Sequence, residues 1–193
     1  MKKRPAIFLD RDGTINEERG YINHPTRLIL QPGAIEAVKL INDMGFLAII
    51  ITNQAGIARG YYTLDTLNKI HNKLIGEMKD GGAKIDALYF CPHHPDGVIE
   101  KYAIRCECRK PKPGMINKAL EEFQIDMDNS FMIGDRYKDV LFGNKLNLKT
   151  ILVLTGYGIG EWENDREKWE LSPDYVARDI LDAVHWIKKE YSK

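Results

Sequence analysis

Two carboxylates one residue apart, in Asp10-Arg11-Asp12-Gly13-Thr14, follow directly on the apolar run Ala6 to Leu9. At the mouth of a site such a pair divides two jobs. One side chain attacks, while the other, held as a neutral acid, protonates a leaving oxygen and later activates water. Asp10 is the expected nucleophile and Asp12 the acid and base, with Gly13 letting the chain turn sharply beneath them. An anionic nucleophile facing an anionic phosphate needs its charge masked, and Mg²⁺ held by carboxylate oxygens is the usual device. Further carboxylates are then required. Gly134-Asp135-Arg136-Tyr137-Lys138-Asp139, behind another apolar run, supplies them. Asp135 is expected to reach the same cation and Asp139 to support it from behind.

Two more positions suit phosphoryl chemistry. Thr52 ends a third apolar run, and its hydroxyl, with the backbone N–H groups near Asn53 and Gln54, suits phosphate oxygens. Lys110, in Arg109-Lys110-Pro111, precedes a helical pattern and can neutralise charge spreading over a transferring group. Each motif alone has a plainer reading: Asp-Gly-Thr as a turn, Thr52 as a strand-end cap, Lys110 as a solvated charge. Four of them in order are much harder to explain that way.

A different chemistry gathers at Cys91-Pro92-His93-His94 and Cys106-Glu107-Cys108. The chain has 3 cysteines, an odd number, all between positions 91 and 108, so metal ligation reads better than a disulfide framework. Three thiolates and one imidazole suit a tetrahedral Zn²⁺. Spacing leaves His93 and His94 both open as the fourth ligand.

These residues need elements to carry them. Short apolar runs alternating with longer amphipathic stretches imply βαβ units, hence an α/β fold, a doubly wound and mainly parallel sheet with helices on both faces. The expected strands are Ala6 to Leu9, Phe46 to Thr52, Ala87 to Phe90, Phe131 to Gly134 and Thr150 to Leu154. The expected helices are Ala34 to Met44, Thr63 to Asp80, Met115 to Phe123, Tyr137 to Leu146 and Ile180 to Tyr191. Ile35, Val38, Ile41 and Asn42 mark the inner face of the first helix; Leu64, Leu67, Ile70, Leu74, Ile75 and Met78 mark that of the second. In such a sheet ligands sit beyond the carboxyl ends of the strands, where Asp10, Thr52 and Asp135 fall. The segments 16–31 and 91–113 break the alternation, and loops of that length are usually functional. Gly156 to Pro173 reads as a surface turn and short helix in which Trp162 and Trp169 are packing anchors.

At 193 residues, residues 1–193 are expected to form a single domain, with the cysteine loop 91–108 inserted. Lys plus Arg and Asp plus Glu are both 28, so no excess charge draws the molecule to nucleic acid or to an anionic membrane. With no apolar segment long enough for a signal core or a membrane span, a cytoplasmic monomer is expected.

The order of DxDGT, a strand ending in Thr, Lys before a helix, and GDxxxD resembles the haloacid dehalogenase superfamily of phosphatases, over residues 6–139. The resemblance implies that Asp10 is the nucleophile and Asp12 the acid and base. It implies that Thr52 and Lys110 hold the phosphoryl group, and that Mg²⁺ is bound by Asp10, the main-chain carbonyl of Asp12, and Asp135. CPHHPDG with CECRKPKPGM, together with DRDGTINEERGYI and TNQAGIARGYYT, is similar to the D-glycero-D-manno-heptose 1,7-bisphosphate 7-phosphatases and the related histidinol phosphatases, with the heptose enzymes favoured. That similarity assigns zinc to Cys91, His93, Cys106 and Cys108. All four positions are then filled by protein, so the zinc is structural and braces the loop from which Arg109 and Lys110 enter the site. No separate cap domain fits between the motifs. Contacts to a small sugar bisphosphate are expected from Arg19, Gly20, Tyr21, Asn53, Gln54, Arg109 and Arg136. A phosphatase of nucleic-acid ends also uses DxDGT, and the absence of a basic stripe argues against it. A non-catalytic zinc-stabilised binding module is the remaining alternative, and the intact Asp10, Asp12, Lys110 and Asp135 argue against lost catalysis.

Overall fold

The computed structural model describes residues 3–191. Six strands, β1 (Ala6–Leu9), β2 (Leu47–Asn53), β3 (Ala87–Cys91), β4 (Phe131–Gly134), β5 (Lys149–Val153) and β6 (Tyr175–Ala177), form a sheet in the order β3-β2-β1-β4-β5-β6. Every pairing is parallel. Strands covered on both faces read as continuous apolar runs, which is why AIFL and LAIII stand out in the sequence.

The helices are α1 (Ala34–Asp43), α2 (Leu64–Asp80), α3 (Gly114–Glu122), α4 (Tyr137–Lys145), α5 (Gly158–Asp165) and α6 (Ile180–Tyr191). Successive strand residues point to opposite faces. Ile7, Leu9, Ile50 and Ile133 therefore pack with Val38 of α1, Leu74 of α2 and Val184 of α6. Phe8, Ile49, Ile51 and Met132 pack on the other side with Met115 of α3 and Phe142 of α4. The chain leaves β1 for β2 on one side and later returns to β4 on the other. The crevice beyond the carboxyl ends of β1 and β4 is thus the topological switch point.

Several expectations need correction. β6 lies in a stretch where no strand was expected: it has three residues, two of them only half-buried, and it is held by an Asp174 carboxylate accepting from Thr150 N–H at 2.7 Å. On α1 the buried face is Ala34, Ala37, Val38 and Ile41. Asn42 instead pairs with the Lys84 backbone, donating to its carbonyl at 3.0 Å and accepting from its N–H at 2.8 Å. On α2, Leu64 and Ile75 are exposed, and His71 joins Leu67, Ile70, Leu74 and Met78 on the buried stripe. The polar segment 16–31 is itself folded, burying Ile22 and Leu28 and bridging Asn16 to Leu30. In the segment that follows β5, Trp169 stacks on Tyr137 at 4.3 Å, a packing role as expected. No helix among the described residues is long and apolar enough to cross a membrane.

Candidate active site

Asp10 is the first residue past β1, and its N–H donates to the Ile133 carbonyl of β4 at 2.9 Å, locking the two strand ends together. β4 in turn delivers Asp135. A Cβ on Gly13 or on Gly156 would collide with the Asp135 carboxylate, and both glycines have positive φ, 80° and 58°. The two backbones therefore clasp one face of that carboxylate. Thr155 Oγ1 ties the clasp shut by donating to the Gly13 carbonyl at 2.6 Å, and Tyr157 N–H donates to Asp135 Oδ2 at 2.9 Å. Asp135 Oδ1 is left buried with no hydrogen-bond partner.

Lys110 Nζ lies 2.8 Å from Asp10 Oδ1 and 2.8 Å from Asp139 Oδ1, with its side chain fully buried. Asn53 pins its backbone: Lys110 N–H donates to Asn53 Oδ1 at 3.0 Å, and Asn53 Nδ2 donates to the Lys110 carbonyl at 3.2 Å. Oxygens of Asp10, Asp135 and Asp139 all lie within 4.8 Å of one another. Three carboxylates thus crowd one ammonium. Burial raises Asp10 above the usual carboxylate range, with Lys110 opposing and Asp139 adding to it. Burial, then Asp10 and Asp139, push Asp135 up to about 8. Burial works against the charge on Lys110, but Asp10 and Asp139 outweigh it and raise its pKa. The missing positive charge, the hard oxygen donors and the orphaned Asp135 Oδ1 together fit a divalent cation such as Mg²⁺.

Asp12 is held by several donors at once. Arg11 Nη2 lies 2.8 Å from both carboxylate oxygens; Asn16 Nδ2 donates at 3.0 Å and Gln54 Nε2 at 2.8 Å. Burial alone would raise this pKa, but the Arg11 charge and these hydrogen bonds outweigh it and hold the carboxyl low. This arrangement favours the carboxylate form of Asp12, the form that acts as a base. Gln54 is itself fixed, donating to Thr52 Oγ1 at 2.9 Å and accepting from Tyr62 OH at 2.7 Å.

The cleft above these groups encloses about 230 Å³ and is lined further by Glu18, Tyr21, Arg109, Arg136, Lys138 and Tyr157. Gly20, Thr52, Asn53 and Gln54 also line it, although the Asn53 and Gln54 side chains are engaged with the protein. Arg19 does not line the cleft; its guanidinium turns to Glu17 at 2.8 Å. Arg136 is held by Glu161 at 2.8 Å and lies 4.2 Å over the Tyr157 ring. Glu18, Tyr62, Lys138, Gly156 and Tyr157 were not foreseen. The spacing signal nearest to any of them is Lys138 inside the GDxxxD motif.

Beside the cleft, Cys91, His93, Cys106 and Cys108 converge, all three thiols free. Cys91 Sγ is 3.4 Å from Cys106 Sγ and 3.0 Å from Cys108 Sγ, and His93 Nδ1 is 3.3 Å from Cys108 Sγ. Thiolates bound at ~2.3 Å to a tetrahedral Zn²⁺ stand ~3.8 Å apart, so a small expansion accommodates the ion. His94 turns away, accepting from Asp96 N–H at 3.1 Å. Arg109 Nη1 donates to the His93 carbonyl at 3.2 Å and so joins this cluster to the cleft.

Residues 107–183 match the HAD-hydrolase-like family. The chain is 42% identical over 189 residues to the D-glycero-beta-D-manno-heptose-1,7-bisphosphate 7-phosphatase of Pasteurella multocida, covering 97% of this chain and 98% of that protein. It is 38% identical over 191 residues to the enzyme of that name from Escherichia coli K12, covering 98% and 96%. Among solved structures it is similar to the D,D-heptose 1,7-bisphosphate phosphatase from B. bronchiseptica complexed with magnesium and phosphate. The TM-score is 0.83 at 29% identity, covering 96% of this chain and 99% of that one.

Proposed function

The chain belongs to the D-glycero-D-manno-heptose-1,7-bisphosphate 7-phosphatases within the HAD-like hydrolases, and from that premise we propose that it hydrolyses the 7-phosphate of this sugar bisphosphate through a phosphoaspartate on Asp10. The observation that carries the reading is the meeting of Asp10, Lys110 and Asp135, far apart in sequence, in one buried cluster beneath a cleft.

Asp10 attacks phosphorus as the bond to the sugar oxygen breaks, and Asp12, protonated for this step, gives its proton to that oxygen. Asp12 then takes a proton from the water that cleaves the phosphoaspartate, releasing phosphate. Its pairing with Arg11 suits this second, basic role. Lys110 and the Thr52 hydroxyl bear on the phosphoryl oxygens. Asp10, the Asp12 carbonyl and Asp135 would hold Mg²⁺, which when bound supplies positive charge that offsets repulsion between carboxylate and phosphate. Cys91, His93, Cys106 and Cys108 would hold a structural Zn²⁺ that fixes where Arg109 and Lys110 enter. Arg109 and Arg136 flank the cleft and suit the second phosphate.

We read residues 1–193 as one domain, working as a monomer in the cytoplasm, where free thiols persist. The Pasteurella multocida and Escherichia coli relatives are named for the beta anomer, and the same preference is proposed here. Phosphate release from both heptose bisphosphate anomers and from histidinol phosphate, with and without Mg²⁺, tests the reading. The expected result is Mg²⁺-dependent turnover of the beta anomer. Faster turnover of histidinol phosphate would overturn the substrate assignment.

A further inference from the structure

His71 lies on α2, outside the cleft, 5% exposed, with its ring 5.4 Å from that of Phe90. Its Nε2 is 3.0 Å from Arg11 Nη1. A guanidinium has only donors, so the ring nitrogen must accept. Arg11 is itself 1% exposed, and its other nitrogens, Nη2 and Nε, face Asp12 at 2.8 and 3.2 Å. One planar group is thus pinned at both ends: His71 at Nη1 sets the tilt of the plane, and that plane sets where the Asp12 oxygens rest. Tyr62 likewise holds Gln54, which with Asn16 also donates to Asp12.

We propose that His71 is a positioning residue for Asp12, acting through the Arg11 guanidinium. The assignment rests on Asp12 being the acid and base of the proposed reaction. Without an acceptor at position 71, buried Nη1 must find another partner, the guanidinium rotates, and the Asp12 carboxylate moves with it. A small misplacement of a proton-transferring group slows chemistry far more than it weakens substrate binding.

The test uses the full chain with Mg²⁺ and heptose bisphosphate, comparing wild type with His71→Leu, His71→Asn and His71→Gln. kcat, KM and melting temperature are measured. His71→Leu is expected to lower kcat about tenfold with KM unchanged within about twofold, because both proton transfers by Asp12 slow. His71→Asn, whose oxygen falls short of Nε2, behaves likewise and carries the test if the leucine variant does not fold. His71→Gln places an acceptor at the reach of Nε2 and recovers most of kcat. A kcat within twofold of wild type in His71→Asn, or a glutamine variant as slow as the asparagine one, overturns the proposal. A wild-type protein that hydrolyses no phosphate monoester sinks the phosphatase reading instead, so the two failures are distinct.

Discussion

The carboxylate cluster and the thiolate cluster sit side by side, yet they are built in opposite ways. Asp10, Lys110, Asp135 and Asp139 come from three separated stretches of chain, are buried, and leave an oxygen of Asp135 without a partner. The cysteine and histidine ligands come from one short segment, 91–108, that starts at the end of β3, are mostly half-buried, and offer four ligand atoms close together, enough to fill a tetrahedral site. An open, under-neutralised site is what a reacting phosphate needs, whereas a closed one can only brace. The two meet at Cys108-Arg109-Lys110, where one end of a short segment belongs to each.

If this contrast is right, breaking the open site should be far costlier to turnover than breaking the closed one. Asp10→Asn should lower kcat by on the order of 10³-fold or more, while the melting temperature holds or rises, since a charge leaves a crowded cluster. Phosphate-release kinetics with a thermal melt read both effects. Gly156→Ala strikes the clasp rather than the chemistry. Displacing Asp135 should raise the Mg²⁺ concentration for half-maximal activity by about 10–100-fold, with partial recovery at saturating metal. A Mg²⁺ titration of activity decides this.

Cys106→Ser with Cys108→Ser should remove zinc, detectable by elemental analysis, lower the melting temperature and reduce kcat about tenfold, while the Mg²⁺ dependence stays near wild type. A loss as deep as that of Asp10→Asn would erase the distinction between the clusters. Unchanged zinc content and turnover would remove the brace altogether.

The remaining prediction concerns stability. Burial, followed by the Arg11 charge and opposed by Asp12, pushes the His71 ring down to about 3. The folded value lies below the unfolded one near 6.5, so this stability is fully present above pH 6.5 and drains away as pH falls toward 3, at up to ~1.4 kcal/mol per unit. Urea unfolding across that range should show the slope, and His71→Gln should flatten it.

What was legible follows the same division. Asp10, Thr52 and Asp135 each stand at the end of a fully buried parallel strand, so a local apolar run points at them directly. The cysteine loop was legible because its ligands are close in sequence. Gly156 and Tyr157 were not, because they act only through a closure onto Asp135 more than twenty residues earlier. Asn53 and Gln54 were expected to face substrate, and tertiary pairing turned their side chains to Lys110 and Asp12. The lowered pKa of Asp12 depends on Arg11 folding back beside it, and residue order carries no sign of that. β6 was not legible because three residues, two of them half-buried, make no periodic signal.

The most direct test of the central claim is to quench the working enzyme in acid, reduce the trapped acyl phosphate with borohydride, and map the modified residue by mass spectrometry. The account predicts homoserine at position 10 alone, formed only when substrate and Mg²⁺ are present. Reduction at another carboxylate, or steady phosphate release with no trapped residue, would contradict it.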